Sequence, residues 1–169
     1  MATTTSRTKT SKTRLAPAQI MSRALPMQLL RAREAVMRRF RPRLRAMGLT
    51  DQQGRIMRAL AETEWVDMME LAGRSCIHPA SLSRIVPRLV ERGFLKRRQD
   101  AKDARRVTVA LTAKGRTTLW SVWLESERIY RELADELGAS NLKELHRCLD
   151  MLIESLGGVD ATVPDLNEI

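Results

Sequence analysis

The residues of this chain that can do chemistry are cations set among small polar groups. The segment KRRQDAKDARRVTVALT, residues 96 to 112, places Lys96, Arg97, Arg98, Lys102, Arg105 and Arg106 around Asp100 and Asp103, then turns at Val107 to alternating apolar and small residues. Bare guanidinium groups at that density repel one another. An intervening aspartate can pair with one cation and hold the loop while the next faces outward. The spacing predicts Asp103 paired with Arg105 and Arg106 directed outward, with Asp100 doing similar work for Lys102 or Arg98. A loop of this kind suits phosphate oxygens. A second set lies upstream: Ser81, Ser83 and Arg84 follow Ala80, and Arg88 stands one helical turn on. Serine hydroxyls donate or accept at bases and phosphates, and an arginine can fork onto guanine O6 and N7. Arg84 is the strongest candidate for a base-reading side chain.

Charge distribution agrees with a polyanion as partner. The 169 residues carry 30 Lys and Arg against 20 Asp and Glu, a net charge of +10. From Arg84 to Arg106 nine cations meet only Glu91, Asp100 and Asp103, while residues 125 to 169 hold eleven carboxylates and four cations. A uniformly solvated surface has no reason to sort charge in this way, so nucleic acid is the first expectation and an anionic membrane the second. No apolar run approaches the ~18 residues of a membrane span, and the first residues lack the apolar centre of a secretory signal, so a cytoplasmic protein is expected. Cys76 and Cys148 are far apart, with His78 and His146 as their only soft neighbours. They are expected as free thiols packed like small hydrophobes, with neither a metal site nor a disulfide. No Gly-rich phosphate loop is present and neither histidine stands beside a nucleophile, so no enzyme and no cofactor is expected.

The elements that must position these groups are mostly helical by periodicity. Residues 1–19 are Thr, Ser and Lys-rich and read as a disordered basic arm. A long helix is expected from about Ala24 to Met47, with Met27, Leu30, Met37 and Leu44 on one face and Gly48 as its stop. Thr50 with Gln53 forms a capping box for a second helix, and Asp67 with Glu70 a weaker one for a third. Pro79 opens the helix that carries Ser81 to Arg88 and ends at Gly93, with Ile85, Val86, Leu89 and Val90 as its core face. Pro87 inside it removes a hydrogen bond, so that the helix is either kinked or shorter than drawn. GFLKRRQ and RVTVALT read as two strands of a hairpin. Thr112 caps a long helix that stops at Gly138, and Ser140 caps a last helix whose stripe of Leu142, Leu145, Leu149, Leu152, Ile153 and Leu156 calls for a partner subunit. Residues 158–169 read as a flexible tail. The fold class expected is mainly α with a small β-hairpin wing, a winged helix-turn-helix lobe at 49–112 joined to a helical dimerisation region at 20–48 and 113–157.

LPMQLLRAREAVMRRFRPRLRAMGLTDQQGRIMRAL and SLSRIVPRLVERGFLKRRQDAKDARRVTVALTAKG, with their flanking helices, resemble the MarR family of bacterial repressors over roughly residues 24 to 157, and DARRVTVALTAKG resembles that family's wing signature. The first stretch is most similar to the branch that controls breakdown of homoprotocatechuate and related aromatic acids. The resemblance implies a homodimer on a pseudo-palindromic double-stranded DNA operator, released by a small aromatic carboxylic acid. It places Ser81, Ser83, Arg84 and Arg88 in the recognition helix and Lys102, Asp103, Arg105 and Arg106 in the wing. Where such relatives carry a bulky aromatic, this chain has Gly54, which either leaves room for a differently shaped ligand or is filled by another side chain. Arg33 or Arg55 can anchor a ligand carboxylate, and His78 can hydrogen-bond a ring hydroxyl; otherwise the arginines are solvated charges and the histidine a cap. The competing expectation is an architectural protein that coats phosphate without an effector.

Overall fold

The computed structural model describes residues 24–99 and 106–158. They fall into two compact units that part between Arg38 and Arg39. Helix α1 (Leu25–Ala46) runs through that point. In its first part Leu25, Met27 and Leu30 are exposed and Arg33 pairs with Glu34 at 2.7 Å.

In the second unit α1 ends as the sequence requires. Gly48 takes a positive φ of 65°, and the Leu49 amide donates back to the Leu44 carbonyl at 2.8 Å. The capping box then opens α2 (Asp51–Ala59) with both of its bonds made: the Gln53 amide donates to the Thr50 hydroxyl, and the Thr50 amide donates to the Gln53 side chain. Strand β1 (Val66–Asp67) leads directly into α3 (Met68–Ser75), whose first amides, Met69 and Glu70, both donate to the Asp67 carboxylate at 2.9 Å. Glu70 itself pairs with Arg74 one turn along. Helix α4 (Pro79–Glu91) is followed by strands β2 (Leu95–Gln99) and β3 (Val107–Leu111), then α5 (Ala113–Leu137) and α6 (Ala139–Ser155).

The sheet has three antiparallel strands in the order β1-β3-β2, not the two of the expected hairpin. Val66 lies opposite Val109 and Asp67 opposite Thr108, while Leu95 to Gln99 run against Leu111 to Val107. Alternation puts Val66, Val109, Leu111 and Leu95 on the inner face, where all four are buried. With Ile56, Met57, Leu60, Leu71, Leu82 and Leu89 they make the core of the helix-turn-helix lobe.

Thr112 caps α5 through the Gly115 amide, and its hydroxyl also donates to the Gly93 carbonyl at 2.6 Å. Gly115 is obligatory there: a Cβ would stand 2.1 Å from the Phe94 carbonyl oxygen. The expected Ser140 cap is not formed. Helix α6 begins at Ala139, and Gly138, at φ 83°, makes the corner without a side-chain cap. The thiols also depart from expectation, since Cys76 and Cys148 are both free but exposed. Cys76 is the left-handed C-cap of α3 at φ 49°, a conformation set by the tight turn into α4 that leaves its side chain outside the core. Among the described residues no helix is long and apolar enough to cross a membrane, and no cluster of His, Cys, Asp and Glu could hold a metal ion.

Candidate nucleic-acid interface

Helix α4 presents two opposite faces. Leu82, Val86 and Leu89 are buried, with Ile85 and Val90 half-buried beside them, whereas Ala80, Ser83, Arg84, Pro87, Arg88 and Glu91 are exposed along a stripe of i, i+3, i+4 spacing. Arg84 and Arg88 therefore project side by side from one surface. Ser83 stands with them, its hydroxyl donating to the Ala80 carbonyl at 2.8 Å. Ser81 lies on the flank of the stripe, half-buried.

Pro87 neither shortens nor ends the helix. It has no N–H to give the Ser83 carbonyl, but both residues are on the exposed face, where another donor can meet that oxygen. The N-terminus of α4 is closed by His78, whose Nδ1 accepts the Ala80 amide at 3.3 Å, with Pro79 in the first position. His78 is thus a cap, and only its other ring nitrogen is left for any ligand.

The turn between α3 and α4 is held from outside. One guanidinium nitrogen of Arg55 on α2 donates to the carbonyls of Ser75 and Cys76 at 3.1 and 3.0 Å, satisfying the end of α3. Arg55 thus has a structural task in the turn as well as its place among the expected carboxylate anchors. Gly54 packs directly against α1. A Cβ at that position would meet the Leu44 Cδ2 at 2.9 Å, so the space that an aromatic ring would occupy is filled by Leu44 from α1. An open cleft of about 360 Å³ lies nearby, lined by Arg41, Arg45, Leu49, Thr50, Asp51 and Gln52, with Arg41 paired to Asp51 at 2.9 Å.

Of the wing residues singled out, Lys102, Asp103 and Arg105, with Asp100, lie outside the described residues. Arg106 does not reach outward on its own. Its guanidinium is paired at 2.8 Å with Asp67, the residue that caps α3. The Glu70 amide first, and then Arg106 and the Met69 amide, hold the Asp67 carboxyl below its usual range. Trp65, two residues earlier, was not found by sequence reasoning. The Arg98 guanidinium lies 4.0 Å and the Lys96 ammonium 5.0 Å from its ring centroid. The available signal was an aromatic residue just ahead of the Asp67 cap and two cations, Lys96 and Arg98, at strand alternation. A second arginine-aromatic pair joins α2 to α5, with the Arg58 guanidinium 4.1 Å from the Trp123 ring centroid.

A buried helix-turn-helix, an exposed stripe of Ser83, Arg84 and Arg88, and an adjoining basic two-strand wing can now be set beside known proteins. The sequence profile of the MarR family matches residues 49–107. The homoprotocatechuate degradative operon repressor of Escherichia coli is 33% identical over 148 residues, 88% of this chain and 100% of that one. The chain belongs to the MarR family. Among solved structures, the transcriptional regulator PA4135 is 37% identical with a TM-score of 0.73, over 76% of this chain and 94% of that one. NadR in complex with 4-hydroxyphenylacetate is 30% identical with a TM-score of 0.66, over 97% of this chain and 100% of that one. The matched MarR segment runs from the end of α1 to the start of β3, and so contains every described α4 and wing residue named above except the last four of β3.

Proposed function

We propose that this MarR-family protein is a transcriptional repressor that binds a pseudo-palindromic operator as a homodimer and is released by a small aromatic carboxylic acid, so controlling genes for breakdown of aromatic compounds. The observation that carries the DNA half is the exposed stripe of Ser83, Arg84 and Arg88 on a helix whose other face is buried, beside the cations of β2. A side chain placed on such a helix reaches base edges in the major groove. The division of labour is Arg84 as reader, with Arg88, Ser83 and Ser81 beside it, and the wing cations Lys102 and Arg105 as phosphate anchors steadied by Asp103.

Support for the dimer comes from helices that find no cover in one chain. No residue of α6 is buried; Leu145, Met151 and Ile153 are exposed on it, and Leu156, its C-cap, is 75% exposed. On α5, Trp120 is 64% exposed. Exposed apolar surface on this scale is a site of association, and a second copy holds two α4 helices about one helical turn, ~34 Å, apart. In this reading residues 20–48 and 113–157 form the dimerisation region and 49–112 the DNA-binding lobe.

The aromatic acid rests on the two relatives whose names carry one, homoprotocatechuate and 4-hydroxyphenylacetate. Arg55, which donates through one nitrogen to the turn before α4, is the carboxylate anchor of this reading. Arg33 and the free nitrogen of His78 remain secondary candidates. The ligand must favour the spacing that does not fit DNA, because equal affinity for both states shifts nothing.

The test is a gel-shift titration on the promoter of the protein's own gene and on random DNA. Operator binding tighter by at least about 10³-fold is expected, with Arg84→Ala removing about 1–3 kcal/mol of that preference. Release by some member of a panel of hydroxylated benzoates, phenylacetates and pyridine carboxylates is expected. Equal affinity for both DNAs would leave the architectural reading in place of this one, and indifference to the whole panel would remove the effector.

A further inference from the structure

The outer face of the sheet carries an arrangement that recognition by α4 does not explain. Residues alternate, so Trp65 and Asp67 on one edge, Thr108 and Arg106 in the middle, and Lys96 and Arg98 on the far strand share that face. Asp67 and Arg98 both lie opposite Thr108, from its two sides. Across this row Trp65 meets Arg98 and Lys96, and Asp67 meets Arg106. The Thr108 hydroxyl in the middle is buried and has no hydrogen-bond partner.

We propose that Trp65, Val66 and Asp67 form a clasp that fixes the wing, in which Trp65 positions Arg98 and Lys96 for the phosphate backbone of DNA. The role in DNA binding rests on the function proposed above; the clasp itself does not. Three neighbouring residues act on both wing strands. Val66 pairs with Val109 in β3, Asp67 holds Arg106 at the start of β3, and Trp65 lies under two cations of β2. The same segment is the N-terminus of α3, the first helix of the helix-turn-helix, so wing and reading head take their orientation from one point. A guanidinium stacked on an indole keeps its charge and its in-plane N–H donors, while its long side chain loses freedom before phosphate arrives. Trp65 is therefore a positioning residue, acting through Arg98 and Lys96.

The test uses the full chain with W65A and W65F, titrated onto a fluorescein-labelled duplex of random sequence over a series of salt concentrations. W65A is expected to bind about three- to tenfold more weakly and to lower the slope of log affinity against log salt by about 1 to 2, the share of two phosphate contacts. W65F retains a ring and is expected to restore the slope. Loss of stability alone would not move that slope in a protein that remains folded, which protected amides of Leu82 to Leu89 in hydrogen exchange will show. In the same exchange measurement without DNA, amides of residues 95–99 are expected to open faster in W65A and to be slowed again in W65F. A W65A slope equal to that of the unaltered protein, or a W65F variant as impaired as W65A, overturns the positioning role. Should the unaltered protein ignore the duplex, the DNA reading falls instead, and unchanged exchange at residues 95–99 in W65A would then refute the clasp as well.

Discussion

Asp67 does two jobs at once, and they can be separated by two substitutions. As N-cap it accepts the Met69 and Glu70 amides, and as an anion it pairs with Arg106 at 2.8 Å. Replacing a good cap by alanine costs about 0.5–2 kcal/mol. The ion pair is partly exposed, at 24% for the Asp67 side chain and 59% for that of Arg106, and pairs of that kind contribute about 0.2–1 kcal/mol. Asp67→Ala should therefore lose about 1–2.5 kcal/mol, and at roughly 2–4 °C per kcal/mol for a chain of this size the melting temperature should fall by about 3–8 °C. Asp67→Asn keeps a side-chain oxygen of equal capping rank and loses only charge, so its loss should stay below about 1 kcal/mol. The sign of the pH dependence follows from the depressed carboxyl. Its folded-state pKa lies below the ordinary 3.8, so the charge-dependent stability is fully present above that value and is lost as pH falls through the folded value. The gap between the unaltered protein and Asp67→Asn should begin to narrow as pH falls below the ordinary 3.8 and vanish only below the depressed folded value, where both carry a neutral cap. Calorimetric scans at neutral and acid pH measure all of this. An Asp67→Asn loss as large as that of Asp67→Ala, or a gap unchanged in acid, would refute the division.

Gly115→Ala drives a methyl group to 2.1 Å from the Phe94 carbonyl oxygen and 3.1 Å from Leu111; backbone cannot yield there without breaking the Thr112 junction, so a loss of about 3 kcal/mol or more is expected in thermal unfolding. Arg55→Ala leaves the Ser75 and Cys76 carbonyls without their donor and should cost about 1–3 kcal/mol in thermal unfolding, with weaker operator binding in anisotropy titrations. Leu44→Ala should cost about 2–5 kcal/mol, and adding Gly54→Ala should recover part of it, since alanine is favoured in the α2 interior by about 1 kcal/mol once the Leu44 methyl is gone. A double-mutant cycle without coupling would show that Leu44 does not fill the Gly54 space.

The helices and their ends were legible because their signals are local. Thr50 with Gln53, Asp67 and Thr112 each lie within three residues of the amide they cap, and the 3.6-residue pattern of α4 needs no other part of the chain. What escaped depends on pairs far apart in sequence. Strand β1 is two residues long, too short for any period, and exists only because β3 runs beside it. Gly54 depends on Leu44 from the previous helix, Arg55 on carbonyls twenty residues on, and Trp65 on cations more than thirty residues away. Arg106 was expected to face outward, and the Asp67 that holds it lies 39 residues away in sequence. Ser140 is a cap by residue type alone, and the corner at Gly138 is made by backbone instead.

Those long-range pairs also change what the net charge of +10 means. Several cations of the lobe are held at the ends of helices that are not their own. Arg55 closes α3 at Ser75 and Cys76, Arg92 donates to the Gly48 carbonyl at the end of α1, and Lys114 donates to the Arg92 carbonyl at the end of α4. The C-terminal end of a helix carries partial negative charge and unpaired carbonyls, so a long cation arriving from a neighbouring element satisfies both. Their charge still adds to the field that draws a polyanion, while part of each head group is engaged within the protein. Under the proposed function, attraction to DNA and direct contact with it would come from different arginines. Substituting Arg92 should loosen the joint between α1 and α4 and leave the salt dependence of binding nearly intact, whereas substituting Arg84, Arg88 or Arg98 should change the contacts themselves.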